Sequence, residues 1–221
     1  MSKQRPAPYE FADDLPLGGV EPGTNLLVAG PTMGGARRLA LRLVTDGSDR
    51  GEGLLLVSTD KASSKILSEC DGLCPDLGRS PIGVVDCVSK GSSHGRFADS
   101  VETVSSPGDL TGIGIEFSGL YQNIHRSGTE RVRAGLYSLS TLLMYADFQT
   151  VSRFVHTVSG RIAATEGLGV FLIDPATQDE KVVSTMTQLC DAKVDVRARD
   201  DGASELRVRG LRDQPQDWTA F

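Results

Sequence analysis

The residues with the clearest chemical potential are GPTMGGARR, Gly30 to Arg38, between the apolar run Asn25–Ala29 (NLLVA) and the amphipathic stretch Gly35–Thr45. A strand, a glycine turn and a helix in that order can cradle phosphate, because backbone amides and the helix dipole face the anion. The complete motif reads G-x-x-x-x-G-K-[ST]; its lysine reaches the outer phosphates and its hydroxyl holds Mg²⁺. Gly30 and Gly35 stand at the two glycine positions, with Pro31, Thr32, Met33 and Gly34 between them. Ala36 stands at the lysine position and Arg37 at the hydroxyl position, followed by Arg38. Arg37 could still meet a phosphate through its planar guanidinium, but it cannot replace a hydroxyl on magnesium. Met33 and Ala36 make the loop less polar than a phosphate cradle. Strand-to-helix packing that needs glycines explains the same letters.

Other candidates are weaker. Ser58-Thr59-Asp60 follows an apolar run, at the strand end where open α/β sheets bind ligands. Asp174 closes another apolar run, VFLID, and reads as a strand-end residue. Ser138, Ser140 and Thr141 form a hydroxyl-rich turn suited to capping a helix, and Asp109 is a candidate N-cap. The G-x-G within Ser105–Ile115 has no strand before it and reads as helix entry. No Ser-His-Asp or Cys-His order and no G-x-S-x-G is present. Cys70 and Cys74 lie one helical turn apart, yet no second pair follows at zinc spacing, and His94, His125 and His156 stand alone. With Cys87 and Cys190 they read as reduced thiols, and no metal site is expected.

The elements that must position these groups alternate. Apolar runs at Asn25–Ala29, Gly53–Ser58, Ile82–Asp86, Val132–Tyr137 and Leu168–Ile173 are compact enough to be buried strands. Helical spacing is expected after the first strand, over Ser63–Cys70, Asp109–Arg126, Asp147–Glu166 and Val182–Cys190. Residues 88–107, rich in Ser and Gly, read as a long functional or mobile loop. Lys193–Arg199 and Glu205–Arg209 alternate polar and apolar around Asp200-Asp201-Gly202, a hairpin signature. The expected fold is α/β: a mostly parallel sheet with helices on both faces and a terminal antiparallel hairpin. One domain over 1–221 is expected, with 1–14 as an N-terminal extension.

Composition bounds the partners. Of 221 residues, 24% are charged and 39% hydrophobic, which fits a globule and not a disordered chain. No apolar run approaches the roughly 18 residues of a membrane span, so no membrane insertion is expected. The N-terminal MSKQRPAPYEFADD lacks the apolar stretch of a secretory signal, which places the protein in the cytoplasm. A net charge of −6 argues against broad binding to a nucleic-acid backbone. Arginine outnumbers lysine 17 to 6 and aspartate outnumbers glutamate 19 to 10. That pattern resembles proteins of salt-loving archaea.

Motif order now supports a resemblance. Leu15–Asn25 (LPLGGVEPGTN) leading into LLVAGPTMGGARRLALRLV resembles the entry of the RecA/KaiC family of P-loop ATPases. Gly51–Asp60 resembles that family's second strand, Arg131–Tyr145 its Walker B strand and following turn, and Ala192–Gly210 its terminal hairpin. The nearest likeness is to haloarchaeal KaiC-like proteins with a degenerate loop. The resemblance implies a RecA-like fold and an ATP or ADP site, and it also marks absences. Tyr137 stands where the Walker B aspartate belongs, and Asp60 and Lys61 match a pair of acidic residues. Arg207 and Arg209 match basic residues that reach a neighbouring subunit's phosphate. Losing one charge stabiliser costs about 10²–10³ in rate, and three are missing here. The expectation is a pseudo-ATPase without a Mg²⁺ site, regulatory or scaffolding, with nucleotide sensing left open, in a homo-oligomer or with a protein partner. The alternatives are an atypical ATPase using Arg37, Asp60 and Asp174, or a recombinase-like module on DNA.

Overall fold

The computed structural model describes residues 6–90 and 97–221. Its elements run β1 (Asn25–Ala29), α1 (Ala36–Thr45), β2 (Gly53–Ser58), α2 (Ser63–Leu73), β3 (Ile82–Asp86), β4 (Val101–Thr103) and α3 (Leu110–Arg126). They continue with β5 (Val132–Tyr137), α4 (Leu139–Tyr145), α5 (Phe148–Ala164), β6 (Leu168–Ile173), α6 (Glu180–Gln188), β7 (Ala192–Ala198), β8 (Ser204–Arg209) and β9 (Thr219–Ala220). Among the described residues the strands form one sheet in the order β4-β3-β2-β5-β6-β1-β7-β8-β9. Pairing is parallel from β4 through β7 and antiparallel for β7–β8 and β8–β9. The mostly parallel sheet, the helices on both faces and the terminal hairpin are all present.

Strand alternation divides the core in two. Leu26 and Val28 of β1 face α1 and α2, whereas Leu27 and Ala29 face α3, α5 and α6. Strands covered on both faces are apolar at nearly every position, which is why their sequences are near-continuous runs. Two details depart from the sequence reading. Within the expected 88–107 loop, Val101–Thr103 pairs with β3 as a short strand, too short and too exposed to show a period. The part of that loop at 91–96, with His94, lies outside the described residues. The helix at Ser63 also continues to Leu73, one turn beyond the expected end.

At the amino ends of the strands, one charge cluster ties the sheet to the N-terminal segment. Arg133 is fully buried; its Nε bonds Glu52 Oε2 at 2.5 Å, Nη1 the carbonyl of Leu43 at 2.8 Å, and Nη2 that of Glu10 at 2.6 Å. Glu52 also receives Arg131 Nε at 2.8 Å. The Arg131 guanidinium lies 3.9 Å from the ring centroid of Tyr9, which is buried with Phe11. Residues 6–14 of the expected extension are thereby packed onto the body.

Candidate functional site

Gly30 to Arg38 lies where the sequence places it, at the carboxyl end of β1 and the start of α1. Gly30 donates to the carbonyl of Ile173 at 3.2 Å, and Thr32–Gly34 forms a single 3-10 turn closed by Gly34 N to Pro31 O at 2.8 Å. Gly35 has φ of 93°, a conformation glycine adopts without cost. No side chain caps α1. Met33 and Arg38 point to solvent, Met33 fully exposed.

The terminal hairpin explains both glycines sterically. A Cβ on Gly30 would sit 2.6 Å from the carbonyl oxygen of Val196 in β7, and one on Gly35 2.4 Å from Ser204 Oγ in β8. Phe221 reaches the same place, 3.5 Å from that position, and Ser204 Oγ donates to Gly34 O at 3.3 Å. Neither Ser204 nor Phe221 was singled out in the sequence; only the return of the hairpin brings them to the loop.

Arg37 turns away from the loop mouth and into the protein. Its side chain is 7% exposed; Nη1 bonds Asp60 Oδ2 at 2.8 Å and Nε bonds Glu69 Oε2 at 3.2 Å. Lys61 pairs with the other oxygen of Glu69. The four groups carry two positive and two negative charges, so the cluster is neutral in itself. Burial works against ionised Glu69, but the hydrogen bonds of Lys61 and Arg37 outweigh it and hold its carboxyl below the usual range. Glu69, on α2, carries no motif signal; its pairing with Arg37 is 32 residues away in sequence. Arg37 Nη2 is buried with no hydrogen-bond partner, and the guanidinium carbon lies 5.9 Å from the Tyr137 ring centroid.

Tyr137 ends β5 fully buried and donates its hydroxyl to the carbonyl of Ala40 in α1 at 2.8 Å. Burial raises its phenol well above the ordinary value, so it stays neutral. The ring folds back over Gly135, where a Cβ would lie 2.4 Å from it. Thr59 Oγ1 donates to the carbonyl of Tyr137 at 2.8 Å and accepts from Ser138 N at 2.6 Å, joining the ends of β2 and β5. Ser138 caps α4, its side chain accepting from Thr141 N.

Asp174 follows β6, which lies between β1 and β5. Its Oδ2 accepts from Thr32 N at 3.2 Å, its Oδ1 from Ala176 N at 3.0 Å, and its own amide donates to Ser140 Oγ at 2.9 Å. A carboxylate of the protein itself thus occupies one loop amide. Arg207 Nε and Arg209 Nη2 both bond Asp195 within the hairpin, at 3.2 and 2.8 Å, and Arg207 stacks 4.4 Å from Trp218. Among the described residues no three His, Cys, Asp or Glu side chains come together as a metal site, and all four cysteines are free. No helix of the described residues is long and apolar enough to cross a membrane.

Sheet order, loop position and terminal hairpin define a RecA/KaiC-like fold, and a solved structure agrees. The chain is similar to the crystal structure of a KaiC-like protein from the hyperthermophilic archaeon Pyrococcus horikoshii OT3, with a TM-score of 0.66 at 12% identity, covering 98% of this chain and 93% of that one. At that identity the likeness speaks for the fold alone. Residues 23–196 match the Family of unknown function (DUF7504), and the chain belongs to that family. No curated protein matches it in sequence.

Proposed function

We propose that this chain is a catalytically degenerate RecA/KaiC-like protein, a pseudo-ATPase that works as a regulatory or scaffold protein through contacts with other proteins or with copies of itself. The observation that carries the reading is the fate of Arg37. It is the cation standing beside the missing loop lysine, and it is buried against Asp60 and Glu69, while its neighbour Arg38 points to solvent. The neighbouring positions agree. Tyr137 replaces a magnesium-ordering carboxylate with a neutral phenol bonded to α1. Asp174 brings negative charge to Thr32 N, where a phosphate oxygen would have to compete with it.

Phosphoryl transfer rests on positioned charge and a metal ion. A magnesium–nucleotide phosphate does not fit this donor set, because Ala36 and Arg37 stand where the lysine and the hydroxyl would be. An atypical ATPase using Arg37, Asp60 and Asp174 is disfavoured, since the first two neutralise each other at 2.8 Å. The DNA-binding alternative has the net charge of −6 against it. A cytoplasmic setting, a salt-loving source and a single domain over 1–221 complete the proposal; the last is supported by the packing of Tyr9 under Arg131.

Calorimetric titration with ATP and with ADP, at high salt, with and without Mg²⁺, tests the reading. Weak or absent heats that Mg²⁺ does not change are expected. Tight binding that requires Mg²⁺ would overturn it.

A further inference from the structure

On the face away from α1, the parallel pair α3 and α5 leaves a groove of about 730 Å³. Its floor is apolar, with Phe117, Phe154 and Val158 between the two helices. Ile115 stands on the α3 rim, 63% exposed, and extends the apolar floor to the surface. The α3 wall is low. Nothing lies within 4 Å of a Cβ built on Gly119, and the nearest atom to one on Gly114 is Phe154 Cε2 at 3.9 Å. A second hollow lined by Tyr121, His125 and Arg126 shares Ser118, Gln122 and Arg161 with the first, so the groove continues along α3.

Charge distinguishes this groove from the rest of the molecule. The chain carries −6 overall, yet no Asp or Glu lines the groove, whereas Arg153 and Arg161 do. Both arginines are exposed, and among the described residues neither forms an ion pair with a carboxylate; Arg153 hydrogen-bonds Thr150 Oγ1 at 3.3 Å and acts on Asp147 only through space. The carboxylates that begin the two helices, Asp109 and Asp147, are held as N-caps by Gly112 N and Thr150 N. Thr150, Arg153, Thr157 and Arg161 follow i, i+3, i+7, i+11 spacing along α5, and Thr111, Ile115, Ser118 and Gln122 follow i, i+4, i+7, i+11 along α3. These are two parallel stripes with an apolar trough between them.

We infer that the α3–α5 groove is a docking site for one amphipathic helix of a partner protein, with an apolar stripe for the trough and acidic residues on the flank facing Arg153 and Arg161. The 17 residues of α3 span roughly 25 Å at 1.5 Å per residue, which a helix of about 16 residues covers. A second copy docked through this same face would bring no carboxylate to Arg153 and Arg161, because no Asp or Glu lines the groove. The inference rests on the reading that the chain acts through protein contacts, and it names the class of partner.

The probes are two synthetic 16-residue helical peptides with the same leucine stripe, one flanked by glutamates and one by lysines, followed by fluorescence anisotropy on the full chain. The glutamate peptide should bind at least about tenfold tighter, and added salt should weaken it. An R153E/R161E chain, altered only at exposed positions, should melt like the parent and reverse the preference. Equal binding of the two peptides, no binding of the glutamate peptide up to about 1 mM, or an unchanged preference in R153E/R161E would overturn the inference. So would self-association in sedimentation that Ile115→Glu abolishes, since a second copy would then be the occupant. Nucleotide calorimetry on the same sample reads the pseudo-ATPase proposal separately, so failure of the groove leaves that proposal standing.

Discussion

Two arginine–carboxylate clusters sit at opposite edges of the same sheet, and both tie α1 to a carboxylate beside β2. At the amino edge every donor group of Arg133 is used: Nε on Glu52, Nη1 on Leu43 O and Nη2 on Glu10 O. At the carboxyl edge Arg37 satisfies Nε and Nη1 but leaves Nη2 buried without a partner, and Asp60, Lys61 and Glu69 are each roughly a quarter exposed. Protein interiors seldom leave a buried donor unmet. The amino-edge cluster is therefore a finished structural joint. The carboxyl-edge cluster is instead neutral in itself and partly open to water, at the edge where α/β sheets keep their chemistry.

The contrast can be broken in order of expected effect. Arg133→Met leaves Glu52 buried beside a single, partly exposed Arg131, and should destabilise the protein by about 3–5 kcal/mol in urea unfolding. Gly35→Ala forces an alanine to a φ of 93° and drives its Cβ against Ser204. Roughly 2 kcal/mol should be lost, and adding Ser204→Gly should recover part of it, a coupling of about 1 kcal/mol in a double-mutant cycle. If Gly35→Ala costs nothing, the steric account of the loop glycines fails. Arg37→Met removes the pairing of Asp60 and of one Glu69 oxygen, but both carboxylates reach water. The loss should be smaller, about 1–2 kcal/mol, and a loss equal to that of Arg133→Met would erase the distinction between the edges.

Acid gives the smallest effect. Burial opposes ionised Asp86, yet the Ser89 hydroxyl and the amides of Ser89, Ser63 and Val88 hold its carboxyl below its ordinary 3.8. Glu69 is held below 4.5 in the same sense. A lowered folded-state value means that the stability these groups add is complete above those pH values and disappears as pH falls through the lower folded ones. Urea midpoints should be flat from about pH 7 to about pH 5 and fall below that. Asp86→Asn should lower the plateau and flatten the fall.

Much of the fold was legible because the physics behind it is local. A strand covered on both faces has few polar positions, so LLVA, LLLV and VFLI announce themselves, and Gly30 and Gly35 mark the turn between β1 and α1. Asp109 as a cap was equally readable, from one polar residue before an apolar period. What escaped was pairing across distance. Arg133 lies inside an apolar run and Glu69 on an ordinary amphipathic helix, and only the sheet order brings them to Glu52 and Arg37, 81 and 32 residues away. Arg37 was readable as a cation at the loop but not as one facing inward, since its direction is set by Asp60 and Glu69. The approach of Ser204 and Phe221 to Gly35 likewise depends on where the hairpin returns.

The central claim, that the charges at the carboxyl edge are neutralised among themselves and cannot serve phosphoryl transfer, is tested most directly by phosphate release from ATP with Mg²⁺ at high salt. The account predicts no release above background, with the same result for Arg37→Met and Asp174→Asn. Turnover on the order of 1 s⁻¹, the lower end for competent phosphoryl-transfer enzymes, abolished by Asp174→Asn in a protein that still folds, would contradict it.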